Sequence, residues 1–290
     1  MSNSHKVLLF GKHGQVGGQL VNQLAQRAEY AVVATDIEDV DLTDDSATRT
    51  LVLEQRPDWV INTSAHTAVD RAETEQELAN QINAVAPGVI AEACAEIGAA
   101  MIHYSTDYVF DGSASLPYVE TDEPNPQSVY GITKLKGERA VLSALDRSLI
   151  FRTAWVYSKE GKNFVNTMLR LAAEQGEIKV VCDQYGSPTL ADDLAAMTIS
   201  ALGRVVVDPD FSAYGIYHAT GQGVVSWAGF SEEIMRLSGH SEVKVHPIPS
   251  SDYPTPAPRP AYSVLSNQKL KQQFGLELSL WQDALGRCLG

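Results

Sequence analysis

The sequence predicts an α/β fold in which a doubly wound parallel sheet carries a smaller C-terminal lobe. Short apolar runs alternate with amphipathic segments through the first half of the 290 residues, and the alternation loosens after about Thr153. Such runs are typical of parallel strands buried on both faces, and the amphipathic segments between them are typical of helices. Because parallel strands need right-handed crossovers, repeated β-α-β units form a sheet with helices on both faces.

These two patterns predict the elements of the first half in chain order. Apolar runs predict strands at residues 7–10, 31–35, 59–61, 100–104 and 149–152. Helical spacing of apolar residues predicts helices at residues 16–28, 46–55, 75–97 and 130–145. A polar, proline-bearing segment predicts a loop at residues 111–127.

The second half has weaker patterns, which predict helices at residues 164–173, 191–202, 267–274 and 281–289 and strands at residues 214–219 and 243–246. Six of the thirteen prolines lie between Pro247 and Pro260, a density that excludes an ordinary helix. We expect an extended, ordered loop there, with a flexible linker as the alternative. We therefore divide the chain into a domain of residues 1–153 and a lobe of residues 154–290. The lobe interleaves with the domain and does not fold independently.

Composition excludes several classes of protein. The chain has 22 Lys and Arg against 36 Asp and Glu, a formal net charge of −14, so we expect no nucleic-acid partner and no membrane surface partner. Cys94, Cys182 and Cys288 are too few and too scattered for a disulfide framework or a zinc site, which fits a reducing compartment. The polar segment Met1–Lys6 lacks the apolar region of a signal peptide, so we expect a cytoplasmic protein.

A glycine-rich turn joins the first predicted strand to the first predicted helix, with glycines at positions 11, 14 and 17. Such a turn needs glycine where φ is positive and where the backbone approaches a pyrophosphate, and the helix offers free N–H groups to the phosphates. This pattern predicts a Rossmann-type dinucleotide site. The spacing Gly-x-x-Gly-x-x-Gly departs from the stricter Gly-x-Gly-x-x-Gly, so a tight turn without a ligand is the alternative.

An acidic residue follows the second predicted strand at the expected distance. Asp36 lies 25 residues after Gly11, where a carboxylate can accept hydrogen bonds from an adenosine ribose. Its alternative role is a helix cap or a solvated turn residue. Asp36 favours NADH, whereas Lys12 and His13 in the turn would pair with the 2′-phosphate of NADPH. The sequence leaves the choice between the two cofactors open.

A tyrosine, a lysine and the hydroxyl residues at the end of the fourth strand form the candidate catalytic group. Tyr130 and Lys134 are four residues apart at the start of a predicted helix, so both side chains lie on one face. A nearby ammonium stabilises a phenolate and would lower the pKa of the tyrosine. Ser105 and Thr106 close the fourth strand, at the edge where α/β sheets bind ligands. A surface pair on a helix is the alternative for Tyr130 and Lys134 taken alone.

The order of these motifs resembles the extended short-chain dehydrogenase/reductase superfamily, and within it the family of dTDP-4-dehydrorhamnose reductases. The strings that carry the resemblance are residues 8–17 around the glycine turn, Ala-His-Thr-Ala-Val-Asp at 65–70, His-Tyr-Ser-Thr-Asp-Tyr-Val-Phe at 103–110, Val-Tyr-Gly-Ile-Thr-Lys at 129–134, Phe-Arg-Thr-Ala-Trp-Val-Tyr at 151–157, Asp-Gln-Tyr-Gly-Ser-Pro-Thr at 183–189 and Tyr-Pro-Thr-Pro-Ala-Pro-Arg-Pro at 253–260. They cover nearly the full length of the chain.

The resemblance implies an NAD(P)-binding domain, a substrate-binding lobe, and reduction of the C4 ketone of dTDP-4-dehydro-6-deoxy-L-mannose to dTDP-L-rhamnose with NADPH or NADH. It implies that the dinucleotide is bound by Gly11, Gly14, Gln15, Val16, Gly17, Asp36, Asp41, Leu42, Ala65, His66, Thr67, Tyr104, Tyr130 and Lys134. The sugar nucleotide would be bound by Thr106, Asp107, Tyr108, Trp155, Asn163 and Arg259, with the proline-rich segment as part of its site. For His66 a backbone-capping role is the alternative, and Trp155 has simple packing as its alternative.

The resemblance also assigns the catalytic roles: Tyr130 donates the proton, Thr106 holds the C4 oxygen, and Lys134 tunes Tyr130 and binds the nicotinamide ribose. Some members of the family bind Mg²⁺ across a dimer interface through glutamates. Gln19 stands at the matching position of the first helix, and an amide is a weaker ligand for Mg²⁺ than a carboxylate, although Asp192 remains available. We therefore expect no metal site, and a monomer or a differently built homodimer.

Two other functions are compatible with the same fold. One is a sugar-nucleotide epimerase or dehydratase, which returns the hydride within one cycle and therefore consumes no NAD(P)H. The other is a non-catalytic regulatory subunit, against which the presence of Tyr130, Lys134 and Thr106 argues. Net consumption of the reduced cofactor separates the reductase from the epimerase or dehydratase, and an assay of the purified protein alone for reductase activity separates it from the regulatory subunit.

Overall fold

The computed structural model describes residues 4–290. Met1–Asn3, part of the N-terminal segment in which we expect no signal peptide, lie outside the described residues. The strands are β1 His5–Phe10, β2 Tyr30–Thr35, β3 Trp59–Asn62, β4 Ala100–Thr106, β5 Ser148–Thr153, β6 Val156–Tyr157, β7 Glu177–Val181, β8 Tyr185–Gly186, β9 Thr189–Leu190, β10 Gly215–His218, β11 Val225–Ser226 and β12 Lys244–Ile248. The helices are α1 Gln15–Leu24, α2 Asp45–Gln55, α3 Val69–Ala72, α4 Gln76–Asn80, α5 Ala86–Ile97, α6 Val129–Ala144, α7 Phe164–Glu174, α8 Ala191–Val207, α9 Trp227–Leu237, α10 Gln268–Phe274 and α11 Trp281–Leu289.

The main sheet has six strands in the order β10-β5-β4-β3-β1-β2, and every neighbouring pair is parallel. The predicted α/β class with a doubly wound parallel sheet is therefore confirmed. The strand order changes direction between β1 and β3, since β2 lies on one side of β1 and β3 on the other. In open α/β sheets, ligands bind in the crevice outside the carboxyl ends of the strands at such a point.

The elements predicted in the first half are all present, with bounds shifted by a few residues. The predicted helix at residues 75–97 differs most, because a π-helical turn at Gln81–Val85 separates α4 from α5. In that turn Asn83 is fully buried, and its side-chain amide bonds the backbone of His66 and the hydroxyl of Thr133. These hydrogen bonds join the chain after β3 to α6.

The C-terminal half contributes to the main sheet and also forms a core of its own. β10 pairs with β5 and supplies the sixth strand. α8 packs against α1, with Leu202 in the same buried cluster as Leu20 and Leu24. A second cluster joins α7, α9 and α11 with β7, and includes Phe230 and Ile234. The division at residue 153 stays a prediction, and the interleaving of the two parts is visible in the position of β10.

Several elements of the second half were missed. β7 alternates buried and exposed residues, a period of two that is visible at Ile178 and Val180, and α9 begins at an N-cap, Ser226, whose hydroxyl accepts from Gly229 N–H. Both therefore carried a sequence signal. The two-residue strands β6, β8, β9 and β11 are too short for any hydrophobic period.

The proline-rich loop (Pro247–Pro260) contains no α-helix, as predicted. Its start belongs to β12, and a 3₁₀ turn follows at Ser250–Asp252. Ala257 is buried and its N–H donates to Asp70 Oδ1 at 3.2 Å, while Arg259 pairs with Asp70 Oδ2 at 2.8 Å. These contacts fix the loop against the N-terminal half. Within residues 4–290, no helix has both the length and the apolarity needed to cross a bilayer.

Candidate active site

One cavity of about 830 Å³ lies at the carboxyl ends of β1, β3, β4 and β5, where the strand order changes direction. Residues from both halves of the chain line it. The predicted site residues that it brings together are Gly11, Gly14, Gln15, Val16, Gly17, Asp36, Asp41, Leu42, Ala65, Thr67, Tyr104, Thr106, Asp107, Tyr108, Tyr130, Lys134 and Trp155. His66, Asn163 and Arg259 do not line this cavity.

The glycine turn forms a narrow cradle at one end of the cavity. Gly11 has φ +91°, a conformation that side chains rarely tolerate. A Cβ atom on Gly17 would overlap the carbonyl oxygen of Gly11 and lie 2.7 Å from Thr63 Oγ1. Gly14 is the N-cap of α1 and no side chain caps the helix, whose first turn lines the cavity. Bare backbone and an uncapped helix N-terminus together fit a pyrophosphate.

The carboxylates after β2 organise the adjacent end of the cavity. Asp36 accepts the N–H of His13 through Oδ2 at 2.9 Å. Lys12 Nζ lies 2.9 Å from Glu38 and 2.5 Å from Asp39, hydrogen bonds that raise the pKa of Lys12. The two side chains that could pair with a 2′-phosphate are thus engaged, because His13 Nε2 also lies 2.6 Å from Glu38.

The start of α6 places Tyr130 and Lys134 beside the end of β4. Ser128 caps the helix by accepting from Gly131 N–H at 3.2 Å. Gly131 allows the start of α6 to lie close to the backbone of Tyr108, since a Cβ atom on Gly131 would overlap the carbonyl oxygen of Tyr108. Lys134 is 2% exposed and donates from Nζ to the Tyr104 carbonyl at 2.6 Å. Burial lowers the pKa of Lys134 to about 8.

The pKa of Tyr130 differs from the expectation. We expected the ammonium of Lys134 to lower it, but burial raises the pKa of Tyr130 to about 12, opposed by the nearby hydroxyl of Thr106. The reason is that a buried phenolate loses its hydration, whereas Lys134 directs a hydrogen bond to the Tyr104 carbonyl. Tyr130 is therefore a neutral phenol at neutral pH, which is the form that a proton donor needs.

Thr106 and Asp107 share a hydrogen bond at the floor of the site. Thr106 Oγ1 donates to Asp107 Oδ1 at 2.9 Å and accepts the N–H of Tyr108 at 3.2 Å. Asp107 is 2% exposed. Burial raises the pKa of Asp107 to about 6, against the lowering effect of the nearby Ser263 hydroxyl and of the hydrogen bond from Thr106. A carboxyl with such a pKa changes its protonation in the physiological range.

Trp155 lies on the opposite wall in a strained conformation. Its φ is +48°, in the left-handed region that costs a non-glycine residue about 1–3 kcal/mol. Its ring stacks on Trp227 with centroids 3.3 Å apart and planes at 4°. A Cβ atom on Gly186 would overlap the Trp155 ring, so that glycine is needed for the close approach. Strain that the surroundings maintain in this way points to a functional position.

The other three predicted residues support the site from behind. His66 is 8% exposed at its side chain, pairs through Nε2 with Glu75 at 2.9 Å, and is held at its backbone by Asn83. Asn163 caps α7 by accepting from Asn166 N–H at 3.0 Å, and its amide donates to Gln15 Oε1 at 3.0 Å. The bond from Asn163 to Gln15 couples the start of α1 to the lobe.

Arg259 belongs to the proline-rich loop and reaches the site indirectly. Its guanidinium pairs with Asp70 and lies 6.0 Å from the centroid of the Tyr108 ring. Tyr108 in turn packs edge-on against Tyr130, with ring centroids 5.5 Å apart. The loop is therefore linked through one aromatic ring to the candidate proton donor, which agrees with its predicted place beside the site.

The cavity also contains residues that the sequence analysis missed, among them Trp227, Phe164 and Lys162. Phe164 was part of a predicted helix, but nothing in its spacing indicated a ligand site. Trp227 begins the helix that was missed. Thr63 and Ser64 also line the cavity, and their position directly after the third predicted strand was an available signal.

Comparisons with known proteins agree with this geometry. The family described as the RmlD substrate binding domain matches residues 5–290. A dTDP-4-dehydrorhamnose reductase of Burkholderia thailandensis is 44% identical, with 98% of each chain covered. The crystal structure of such a reductase from Clostridium acetobutylicum superposes with a TM-score of 0.93 at 42% identity, covering 98% of each chain. One from Bacillus anthracis in complex with NADP has a TM-score of 0.92 at 37% identity, again covering 98% of each chain.

Proposed function

Because the chain belongs to the family of dTDP-4-dehydrorhamnose reductases, we propose that it reduces the C4 ketone of dTDP-4-dehydrorhamnose to dTDP-L-rhamnose. This is the final step of dTDP-L-rhamnose biosynthesis. The observation that carries the proposal is the single cavity in which Tyr130, Lys134 and Thr106 meet the glycine cradle. The hydride donor is NADPH or NADH.

The cradle fits the dinucleotide. Gly11, Gly14 and Gly17 leave room for its pyrophosphate, and the uncapped first turn of α1 offers N–H groups to the phosphate oxygens. Asp36 lies where the adenosine ribose would bind. When bound, the reduced nicotinamide supplies a hydride to C4 of the sugar.

Tyr130 protonates the oxygen that develops negative charge at C4. The buried phenol keeps its proton at neutral pH, since its pKa is raised to about 12, and it releases the proton only to a stronger base such as an alkoxide. Lys134 is fixed by the Tyr104 carbonyl and, with a pKa near 8, is mostly an ammonium at neutral pH. Its charge stabilises the phenolate after transfer.

The sugar nucleotide occupies the wall opposite the cradle. We place the sugar ring near Thr106 and Asp107 and the remainder of the substrate toward Trp155 and Trp227, whose stacked rings offer an apolar face. Tyr108 connects this wall to the proline-rich loop through Arg259. Asn163 holds Gln15 from behind, and the backbone of His66 is itself held by the Asn83 side chain.

The decisive experiment supplies freshly made dTDP-4-dehydrorhamnose to the purified protein with NADPH or NADH and follows the loss of the reduced cofactor. The proposal predicts stoichiometric formation of dTDP-L-rhamnose and oxidised cofactor. Turnover of sugar nucleotides without net consumption of cofactor would identify an epimerase or dehydratase instead. Absence of both cofactor consumption and sugar-nucleotide turnover would leave the regulatory-subunit function.

We further propose that residues 1–153 form the cofactor-binding domain and residues 154–290 an interleaved substrate-binding lobe, and that the enzyme is a cytoplasmic monomer or homodimer. The free cysteines Cys94, Cys182 and Cys288 suit a reducing compartment. Light scattering of the purified protein, with and without Mg²⁺, tests the oligomeric state and the expectation that no metal bridges subunits.

A further inference from the structure

The hydroxyl of Thr106 has a limited number of hydrogen bonds to give. A threonine hydroxyl carries one proton and two acceptor lone pairs. Here the proton is donated to Asp107 Oδ1 at 2.9 Å, and one lone pair accepts the N–H of Tyr108 at 3.2 Å. A ketone or alkoxide oxygen can only accept hydrogen bonds. With Asp107 ionised, Thr106 therefore has no proton left for the C4 oxygen of the substrate.

Protonation of Asp107 reverses this hydrogen bond. The carboxylic acid then donates to the second lone pair of Thr106, and the hydroxyl proton of Thr106 becomes free to point into the cavity. All three hydrogen-bonding positions of the hydroxyl are then used: N–H of Tyr108, O–H of Asp107 and the C4 oxygen. The backbone N–H of Tyr108 fixes the hydroxyl oxygen in both states.

The surroundings of Asp107 shift its protonation equilibrium toward the neutral form. The side chain is 2% exposed at the floor of the cavity. The groups that face it are hydroxyls: Tyr130 from α6, Ser263 from the chain after the proline-rich loop, and Thr106 beside it. Among the described residues no lysine, arginine or histidine forms an ion pair with Asp107. Burial without a cation raises the pKa of Asp107 to about 6.

Nearby cations are committed to other groups. Arg259, on the proline-rich loop, pairs with Asp70, and Lys134, on α6, donates to the Tyr104 carbonyl. Substrate in the cavity excludes water and offers an acceptor to Thr106. Both effects stabilise the neutral carboxyl further and move the pKa of Asp107 upward in the complex.

We propose that Asp107 is a positioning residue that acts as a neutral carboxylic acid, holding the Thr106 hydroxyl with its proton directed at the C4 oxygen of the substrate. This role rests on the proposed function and adds to it. The proton of Asp107 is not transferred, since Tyr130 supplies the proton that the product keeps. Asp107 thus decides whether the Thr106 hydroxyl can stabilise the charge developing at the C4 oxygen.

The Asp107→Asn variant tests the proposal because an amide N–H can replace the carboxylic O–H as donor to Thr106. For the wild type we expect kcat/KM to fall about tenfold per pH unit above the pKa of Asp107 in the free enzyme, near 6. Because substrate moves this pKa upward, we expect kcat to fall only at a higher pH. Asp107→Asn is expected to lose this limb and to keep a higher kcat than a variant without a donor at this position. The matched variant Asp107→Leu, which offers no donor, should have a lower kcat at every pH.

The same Asp107 substitution in a variant that lacks the Thr106 hydroxyl separates an action of Asp107 through Thr106 from a direct action of Asp107 on the substrate. In Thr106→Val, which lacks the hydroxyl, replacing Asp107 by Asn should leave the pH profile unchanged. Thermal unfolding and calorimetric cofactor affinity check that all variants are folded. A titration without turnover complements the kinetics: binding of the 4-keto substrate to enzyme with oxidised cofactor should take up a proton at pH 7 in the wild type and none in Asp107→Asn.

Two results would overturn the role of Asp107 while the function stands. One is an active wild type whose Asp107→Asn variant is as impaired as Asp107→Leu, and the other is a kcat/KM limb near pH 6 that persists in Asp107→Asn. Absence of proton uptake by the wild type would do the same. Failure of the wild type to oxidise either cofactor with this substrate would instead refute the proposed function. The outcomes of the two proposals are therefore distinguishable.

Discussion

Replacing Gly17 by alanine should damage the cofactor site through steric overlap alone. A Cβ atom at this position would overlap the Gly11 carbonyl oxygen and lie 2.7 Å from Thr63 Oγ1 and 2.8 Å from the Gly11 carbonyl carbon. Ordinary contacts between such atoms are about 3.5 Å, so the start of α1 must move away from the turn by about 0.7 Å or more. Overpacking of this kind costs about 1–3 kcal/mol.

The shift acts on the backbone that would hold the pyrophosphate, so we expect weaker cofactor binding. A loss of about 1.4 kcal/mol or more corresponds to a dissociation constant raised about tenfold or more. Isothermal titration calorimetry with NADPH and with NADH measures this constant directly. Thermal unfolding without cofactor then reports how much of the cost falls on stability.

Gly18 provides the matched control, one residue further along the same helix. A Cβ atom there would lie 3.4 Å from the Lys12 carbonyl oxygen, an ordinary contact. Gly18→Ala should leave cofactor affinity unchanged and stabilise α1 by about 0.5–1 kcal/mol, since glycine is unfavourable within a helix. Wild-type affinity in Gly17→Ala, or an equal loss in Gly18→Ala, would refute the cradle assignment.

Three further predictions follow from the site. Tyr130→Phe should lower kcat about 10²–10⁴-fold because the proton donor is lost, with calorimetric cofactor affinity unchanged; near-normal turnover would remove Tyr130 from the mechanism. Trp227→Ala removes the stacking partner of Trp155 and should raise KM for the sugar nucleotide more than it lowers kcat, so an unchanged KM in steady-state kinetics would show that the stack does not contact substrate. Glu38→Gln weakens the hold on Lys12 and should improve NADPH relative to NADH in competitive binding assays, whereas an unchanged ratio would mean that Lys12 does not reach the 2′-phosphate.

The sheet and the centre of the site could be predicted because both depend on local patterns. Apolar runs such as residues 7–10 and 100–104 form strands wherever helices cover both faces of a sheet. The spacing of Tyr130 and Lys134 fixes one helix face, and the ends of parallel strands meet at one edge. Gly11 and Thr106 both lie at the carboxyl ends of strands, so the sequence predicts that they meet in the cavity at that edge.

The remaining features depend on tertiary contacts that no local pattern encodes. The strained Trp155 is held by Trp227 and Gly186, which are distant in sequence. The pKa of Tyr130 depends on how deeply α6 is buried, so the spacing to Lys134 gave the wrong direction. Asn163 holds Gln15 through its side-chain amide, a tertiary contact that the sequence did not indicate, and its predicted contact with the substrate stays a prediction.

The position of β10 has a consequence for how this enzyme encloses its sugar. The strand lies beside β5 in the main sheet, and α8 rests on α1, so the C-terminal half is anchored to the N-terminal half at two separate places. A rigid-body swing of one half against the other would break strand pairing and open a buried core. We therefore expect the sugar to be enclosed by small movements of loops and aromatic side chains, while the two halves keep their relative position. The distance between the hydride donor and the ketone would then be set by the fold.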